Sequence, residues 1–135
     1  TNDGTDELIT EYLIKSDSTK WGNYINAEFV VTSDNAKVSA SGSNYTDFKK
    51  GWIKNEGTYS FLTTGASDRN CILNIYDLAG NFYEWTLEKS FQDVLPCTDR
   101  GGCSFYAGYQ NYADHHFSRR IDQSESYISF RSALY

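Results

Sequence analysis

Apolar positions along the chain come in short runs that polar residues interrupt within a few positions. Leu8, Ile9, Tyr12, Leu13 and Ile14 recur at the spacing of an amphipathic helix, with Glu7 and Glu11 suited to its first turns. Residues 29–32 predict a strand and residues 37–41 another, joined by turn material at Ser33-Asp34-Asn35. Residues 82–87 alternate as a strand, residues 98–104 read as a strand bent by Gly101-Gly102, and residues 127–135 alternate as a terminal one. Trp21 to Tyr24 reads as an irregular segment pinned by two aromatic side chains, and residues 104–120 follow neither a period of two nor one of 3.6. Together these elements predict a small α+β domain dominated by loops and short antiparallel strands.

Composition narrows the picture. A chain of 135 residues with 39% hydrophobic and 22% charged residues fits one domain that buries a core. Eleven tyrosines and eight phenylalanines against a single proline, Pro96, point to a structure held by aromatic packing and turns. The formal charge of -6 argues against a nucleic-acid or anionic-membrane partner, and no apolar run is long enough for membrane insertion. Cys71, Cys97 and Cys103 allow one bridge plus a free thiol, or three free thiols. Their spacing matches neither a zinc knuckle nor a redox pair, and free, partly buried thiols are the expectation.

The densest stretch is Asn74-Ile75-Tyr76-Asp77-Leu78-Ala79-Gly80-Asn81-Phe82-Tyr83-Glu84-Trp85-Thr86. Its residues support two readings. In one, a turn at Gly80-Asn81 leads into a core strand, and Glu84 is solvated. In the other, Asp77, Glu84 and main-chain carbonyls at the turn hold a hard cation.

The same stretch resembles the signature of the formylglycine-generating enzyme, or sulfatase-modifying factor, family. Arg100-Gly101-Gly102 and Phe130-Arg131 are similar to that family's later elements and stand in the same order. The resemblance implies an α+β, C-type-lectin-like fold, of which residues 1–135 form the C-terminal portion, with an N-terminal segment missing. It implies calcium held by the side chains of Asp77 and Glu84 and the carbonyls of Gly80 and Phe82, a cofactor the chain does not require. The alternative is that Asp77 caps its turn and Glu84 meets an arginine; Arg131 is expected to reach solvent or to pair with a carboxylate, with Glu84 and Asp77 the first partners to inspect. Catalysis does not carry over. The family's enzymes place a cysteine pair soon after Arg-Gly-Gly; here Cys103 stands at the usual serine position and no cysteine follows it.

Residues 103–120 also resemble the variable segment of proteins diversified by retroelements in phages, bacteria and archaea. Adenine mutagenesis there reaches a restricted residue set, and every residue of the segment except Gln110 belongs to it. Tyrosine and phenylalanine bury much area for few frozen rotors, while Asn, Ser and Gly adapt their hydrogen bonds. The expected contact residues are Phe105, Tyr106, Tyr109, Tyr112, His115, His116 and Phe117, with Asn111, Asp114 and Arg119 supplying polar specificity. At least two of the aromatic and histidine side chains are expected to pack beneath the loop as anchors. The implied function is noncatalytic binding of a protein or other macromolecular surface, at a cell surface or on a virion. The alternative is a noncatalytic structural or degenerate enzyme-like module.

Overall fold

A computed structural model describes residues 11–131 apart from 13, 48, 49 and 73. The eleven strands are β1 (Phe29–Val30), β2 (Lys37–Ser39), β3 (Thr46–Asp47), β4 (Ile53–Lys54), β5 (Phe61–Leu62), β6 (Cys71–Ile72), β7 (Ile75–Tyr76), β8 (Tyr83–Thr86), β9 (Cys97–Arg100), β10 (His116–Arg119) and β11 (Ile128–Phe130). Among the described residues, helical structure is confined to residues 11–12 and 14–16 and two 3-10 turns, Thr19–Trp21 and Asp68–Asn70. The remainder of the expected helix over residues 8–14 lies outside the described residues.

The expected α+β, C-type-lectin-like fold is therefore corrected: the chain is mainly β. Beyond residue 16 no stretch keeps an apolar period of 3.6. Short extended pieces take their hydrogen bonds from distant partners instead. Among the described residues, no helix is long and apolar enough to cross a membrane.

The largest sheet has four strands in the order β10-β9-β8-β11. Its β10/β9 and β9/β8 pairs are antiparallel, and β11 lies parallel to β8 with Ser129 opposite Glu84. A three-stranded antiparallel sheet, β3-β2-β5, and the pairs β1-β4 and β6-β7 complete the set. A core of Trp21, Tyr24, Phe29, Val31, Leu62 and several alanines fills the space between them. Trp21 and Tyr24 are both buried, so the irregular segment is pinned as its sequence predicts.

Residues 74–81 form a succession of tight turns, with φ of 63° at Asn74, 53° at Asp77, 68° at Gly80 and 63° at Asn81. Asn and Asp tolerate this left-handed region better than most side-chain-bearing residues, and Gly enters it freely. At Gly80 the requirement is doubled. A Cβ there would stand 2.5 Å from the Asn23 carbonyl oxygen.

Asn81 then serves as a junction. Its Oδ1 accepts from the Leu62 N–H at 2.8 Å, and its Nδ2 donates to the Leu62 carbonyl at 2.8 Å. The Asn81 N–H donates to the Asn23 carbonyl at 2.9 Å, and the Asn81 carbonyl accepts from Ser104 at 3.2 Å. Asn23 Nδ2 reaches both Asn81 Oδ1 at 3.0 Å and the Ser60 carbonyl at 2.7 Å.

A buried lysine and a half-buried arginine brace the 19–27 segment around Phe29. Lys54, fully buried, donates from Nζ to the carbonyls of Tyr24 at 2.7 Å and Ala27 at 2.8 Å. Arg69 donates to the carbonyls of Thr19 and Gly22. The Lys54 ammonium stands 5.8 Å, and the Arg69 guanidinium 5.1 Å, from the centre of the Phe29 ring. Burial, and then the Arg69 charge, pull the Lys54 ammonium down to about 8.

Two outcomes are expected. Asn81→Ala strands the buried N–H and C=O of Leu62, and urea denaturation should show a loss of about 3–5 kcal/mol. Lys54 loses its proton at lower pH in the native state than in the unfolded chain, which therefore binds more protons between pH 8 and 10.5. Native stability contributed by Lys54 should rise with pH across that window. Subtracting the same profile measured on Lys54→Met isolates this contribution from tyrosine titration.

Candidate recognition face

The face is built on β9 and β10. Asp99, on β9, has a fully buried side chain. It accepts from Arg119 Nε at 2.7 Å and from the Phe117 N–H at 3.3 Å. The Arg119 guanidinium lies 5.6 Å from the Tyr83 ring centre and 5.2 Å from that of Phe117. Burial raises the Asp99 carboxyl, and the Arg119 hydrogen bond and charge pull it back down. A buried carboxylate of this kind depends on its guanidinium.

Tyr83, at the start of β8, is the hub of the aromatic packing. Its ring meets Phe117 edge-on at 5.6 Å and Tyr127 at 6.2 Å, and Tyr106 lies at 6.5 Å. The Tyr83 hydroxyl accepts from Asn111 Nδ2 at 2.7 Å. Phe105 packs against Phe61 at 5.2 Å, and Phe61 stacks on Phe82 at 4.4 Å. The ring network thus runs from β5 to the outer surface.

The loop between β9 and β10 is fastened to the segment before β1. Ser18 donates from its N–H to the Gly108 carbonyl at 3.1 Å, and Ile25 does the same to Tyr106 at 3.1 Å. The Gly108 N–H donates to Asn26 Oδ1 at 3.0 Å, and the Ala113 N–H donates to Ser18 Oγ at 3.0 Å. A Cβ at Gly108 would stand 2.5 Å from the Thr19 nitrogen, so the contact needs glycine.

On this backing Tyr106 is 45% exposed, Tyr109 59% and Phe117 37%. His116 and Asp114 are exposed, and Phe105, Tyr112, His115 and Arg119 are half-buried. The Tyr112 and His115 ring centres are 5.8 Å apart, and His115 lies 4.6 Å from Phe117. Burial, and then the neighbouring His116, hold the His115 imidazole below its ordinary range.

Asn111 requires a correction. It is buried, and its amide is spent on Tyr83, so it positions the face rather than touching a ligand. Asp114 and Arg119 are also committed internally. Asp114 takes Arg100 Nη1 at 2.7 Å, while Arg100 grips Glu88 with Nε at 2.7 Å and Nη2 at 3.0 Å. Sequence reasoning also missed Tyr59, 46% exposed with its ring 4.8 Å from Phe105. It lies in a polar loop with no pattern to mark it.

The expected calcium ligands lie elsewhere, around a cleft of about 490 Å³ lined in part by Asp77, Phe82, Glu84, Phe130 and Arg131. Arg131 donates to Glu84 through Nε at 3.0 Å and Nη2 at 2.7 Å, and to the carbonyls of Tyr76 and Asp77, each at 3.1 Å. Asp77 Oδ2 accepts from the Gly65 N–H at 2.9 Å, and Oδ1 lies buried with no hydrogen-bond partner. The buried Nδ2 of Asn70 is likewise unpartnered, although its proximity lowers the Asp77 carboxyl, which burial pushes up to about 6. Phe82 places its ring on Phe61, and the Gly80 N–H goes to the Gly101 carbonyl at 2.6 Å.

The guanidinium already occupies the Glu84 carboxylate and two carbonyls. Calcium takes roughly six to eight oxygens, and of the two expected side-chain ligands Asp77 keeps one oxygen unpartnered, its Oδ1. Among the described residues, no group of three or more His, Cys, Asp or Glu side chains is gathered as a metal site. All three cysteines are free thiols, and burial pushes the buried Cys103 up to about 11.

Arg119→Ala should cost about 3–5 kcal/mol in urea denaturation because it leaves the Asp99 charge buried and unpaired. The double variant Asp99→Asn/Arg119→Met should recover much of that loss.

No protein family, curated protein or solved structure compared with this chain matches it.

Proposed function

We propose that this chain is a noncatalytic recognition module that presents Tyr106, Tyr109, His116 and Phe117 to a protein or other macromolecular surface. The observation that carries the reading is a contrast within one loop. Its main chain is hydrogen-bonded to the 18–26 segment, while Tyr106 and Tyr109 are left open to solvent. Freezing the loop before a partner arrives lowers the entropy cost of binding. Tyrosine then supplies contact area with few rotors to immobilise.

The sharper form of the proposal is diversification by a retroelement, supported by the residue set of 103–120 and the resemblance of the framework around it. Ala107, Asn111 and Ala113 are buried and tolerate little change, whereas 106, 109, 114, 116 and 117 are open. Neighbouring DNA should hold a reverse-transcriptase gene and a near-copy whose adenine mismatches fall in the codons of the open positions and spare Asn111. Absence of such a near-copy would refute diversification, and mismatches concentrated at the buried positions would refute its assignment to the open face. At the protein level, Tyr106→Ala/Tyr109→Ala should keep Tm within a few degrees while abolishing capture of most peptides selected on the wild-type chain.

A further inference from the structure

Two further features lie beside the tyrosine loop. Residues 55–59 between β4 and β5 are exposed throughout, and Tyr59 leans from that loop onto Phe105 at 4.8 Å. The Gly57 N–H donates to the Ile25 carbonyl at 2.7 Å, and the Ile25 N–H donates to the Tyr106 carbonyl at 3.1 Å. One residue therefore couples the 55–59 loop to the tip through its own main chain.

The charges are distributed unevenly around these loops. Glu28 and Glu56 flank the β1-β4 pair, both are exposed, and neither has a hydrogen-bond or ion-pair partner among the described residues. Glu56 interacts at longer range with buried Lys54. All five arginines are committed within the molecule: Arg69 to carbonyls, Arg100 to Glu88 and Asp114, Arg119 to Asp99, Arg120 to Asp122 and Arg131 to Glu84. Lys20 is exposed and follows Thr19, which packs on Gly108 of the tyrosine loop. The Tyr59 side thus presents aromatic rings and free carboxylates with no free guanidinium.

We infer that the recognition face is composite, with Tyr59, Glu28 and Glu56 as its second half, and that its occupant is a polypeptide segment bearing lysine or arginine. This rests on the recognition reading of the same face and names the partner's chemistry. A long cationic side chain lays its aliphatic stem along exposed phenol rings and brings its head to a carboxylate. Complementary charge at the rim sets partner choice and association rate, and makes both sensitive to salt.

The test is selection of a displayed library of random linear peptides on the immobilised full chain. Peptides whose binding survives Tyr106→Ala/Tyr109→Ala are discarded. The remaining binders should be enriched in Lys and Arg and weaken as salt is raised. They should lose about tenfold in affinity with Glu28→Gln/Glu56→Gln, lose affinity with Tyr59→Ala, and ignore Lys20→Gln. Tyrosine-dependent binders with no basic enrichment, or with no response to the Glu and Tyr59 variants, would overturn this inference and leave the recognition reading standing. Failure to recover any binder that depends on Tyr106 and Tyr109 would overturn both.

Discussion

A single side-chain amide holds three distant parts of this chain in register. Asn81 pairs with both the N–H and the C=O of Leu62, as a neighbouring strand would, and so satisfies a buried peptide where no strand runs. Its main chain meanwhile ties Asn23 on one side and Ser104 on the other. Placement of β5 brings Phe61 against Phe82 and Phe105, and placement of Ser104 sets where the tyrosine loop departs. Because the amide and its partners are buried, a half-made version of this junction costs more than none at all. The geometry of the exposed face is inherited from that all-or-none arrangement.

Cations complete the framework from within. Lys54 and Arg69 collect carbonyls that no regular element claims, and Arg131 collects both carbonyls and the Glu84 carboxylate. A chain built from strands of two to four residues leaves many main-chain oxygens unpaired by ladders, and long basic side chains reach them. Arg100 and Arg119 do comparable work nearer the face, where each fixes a carboxylate.

Parts of this were legible in the sequence, and the limits are physical. Alternation over 82–87 located β8, and the expected strands at 29–32 and 37–41 contain β1 and β2. The strand expected over 98–104 stops at Arg100, since Gly101 adopts φ of 95° and turns the chain out of the sheet. β10 went unseen because its alternation, with Phe117 and Arg119 turned to Asp99 and Tyr83, is masked by polar and aromatic neighbours. Two-residue strands such as β4 and β6 carry no period at all and exist only through their partners. The α+β expectation gave weight to one early helical pattern, which has little share in the described chain. The Arg131–Glu84 pair was foreseeable from charge and chain order. The burial of Asn111 was not, because composition without a period cannot tell inside from outside.

The parallel seating of β11 beside β8 bears on how the molecule assembles. Ile128 to Phe130 must return past the whole β9–β10 excursion to lie along Tyr83 to Trp85, a contact of long sequence separation. Of the eleven strands among the described residues it is the last in chain order, so Glu84 stays without its guanidinium until synthesis has passed Arg131. Contacts of this span close slowly, after local hairpins such as β6-β7. Until that strand has been made the nascent chain carries an unfinished sheet edge beside β8, open to pairing with other chains.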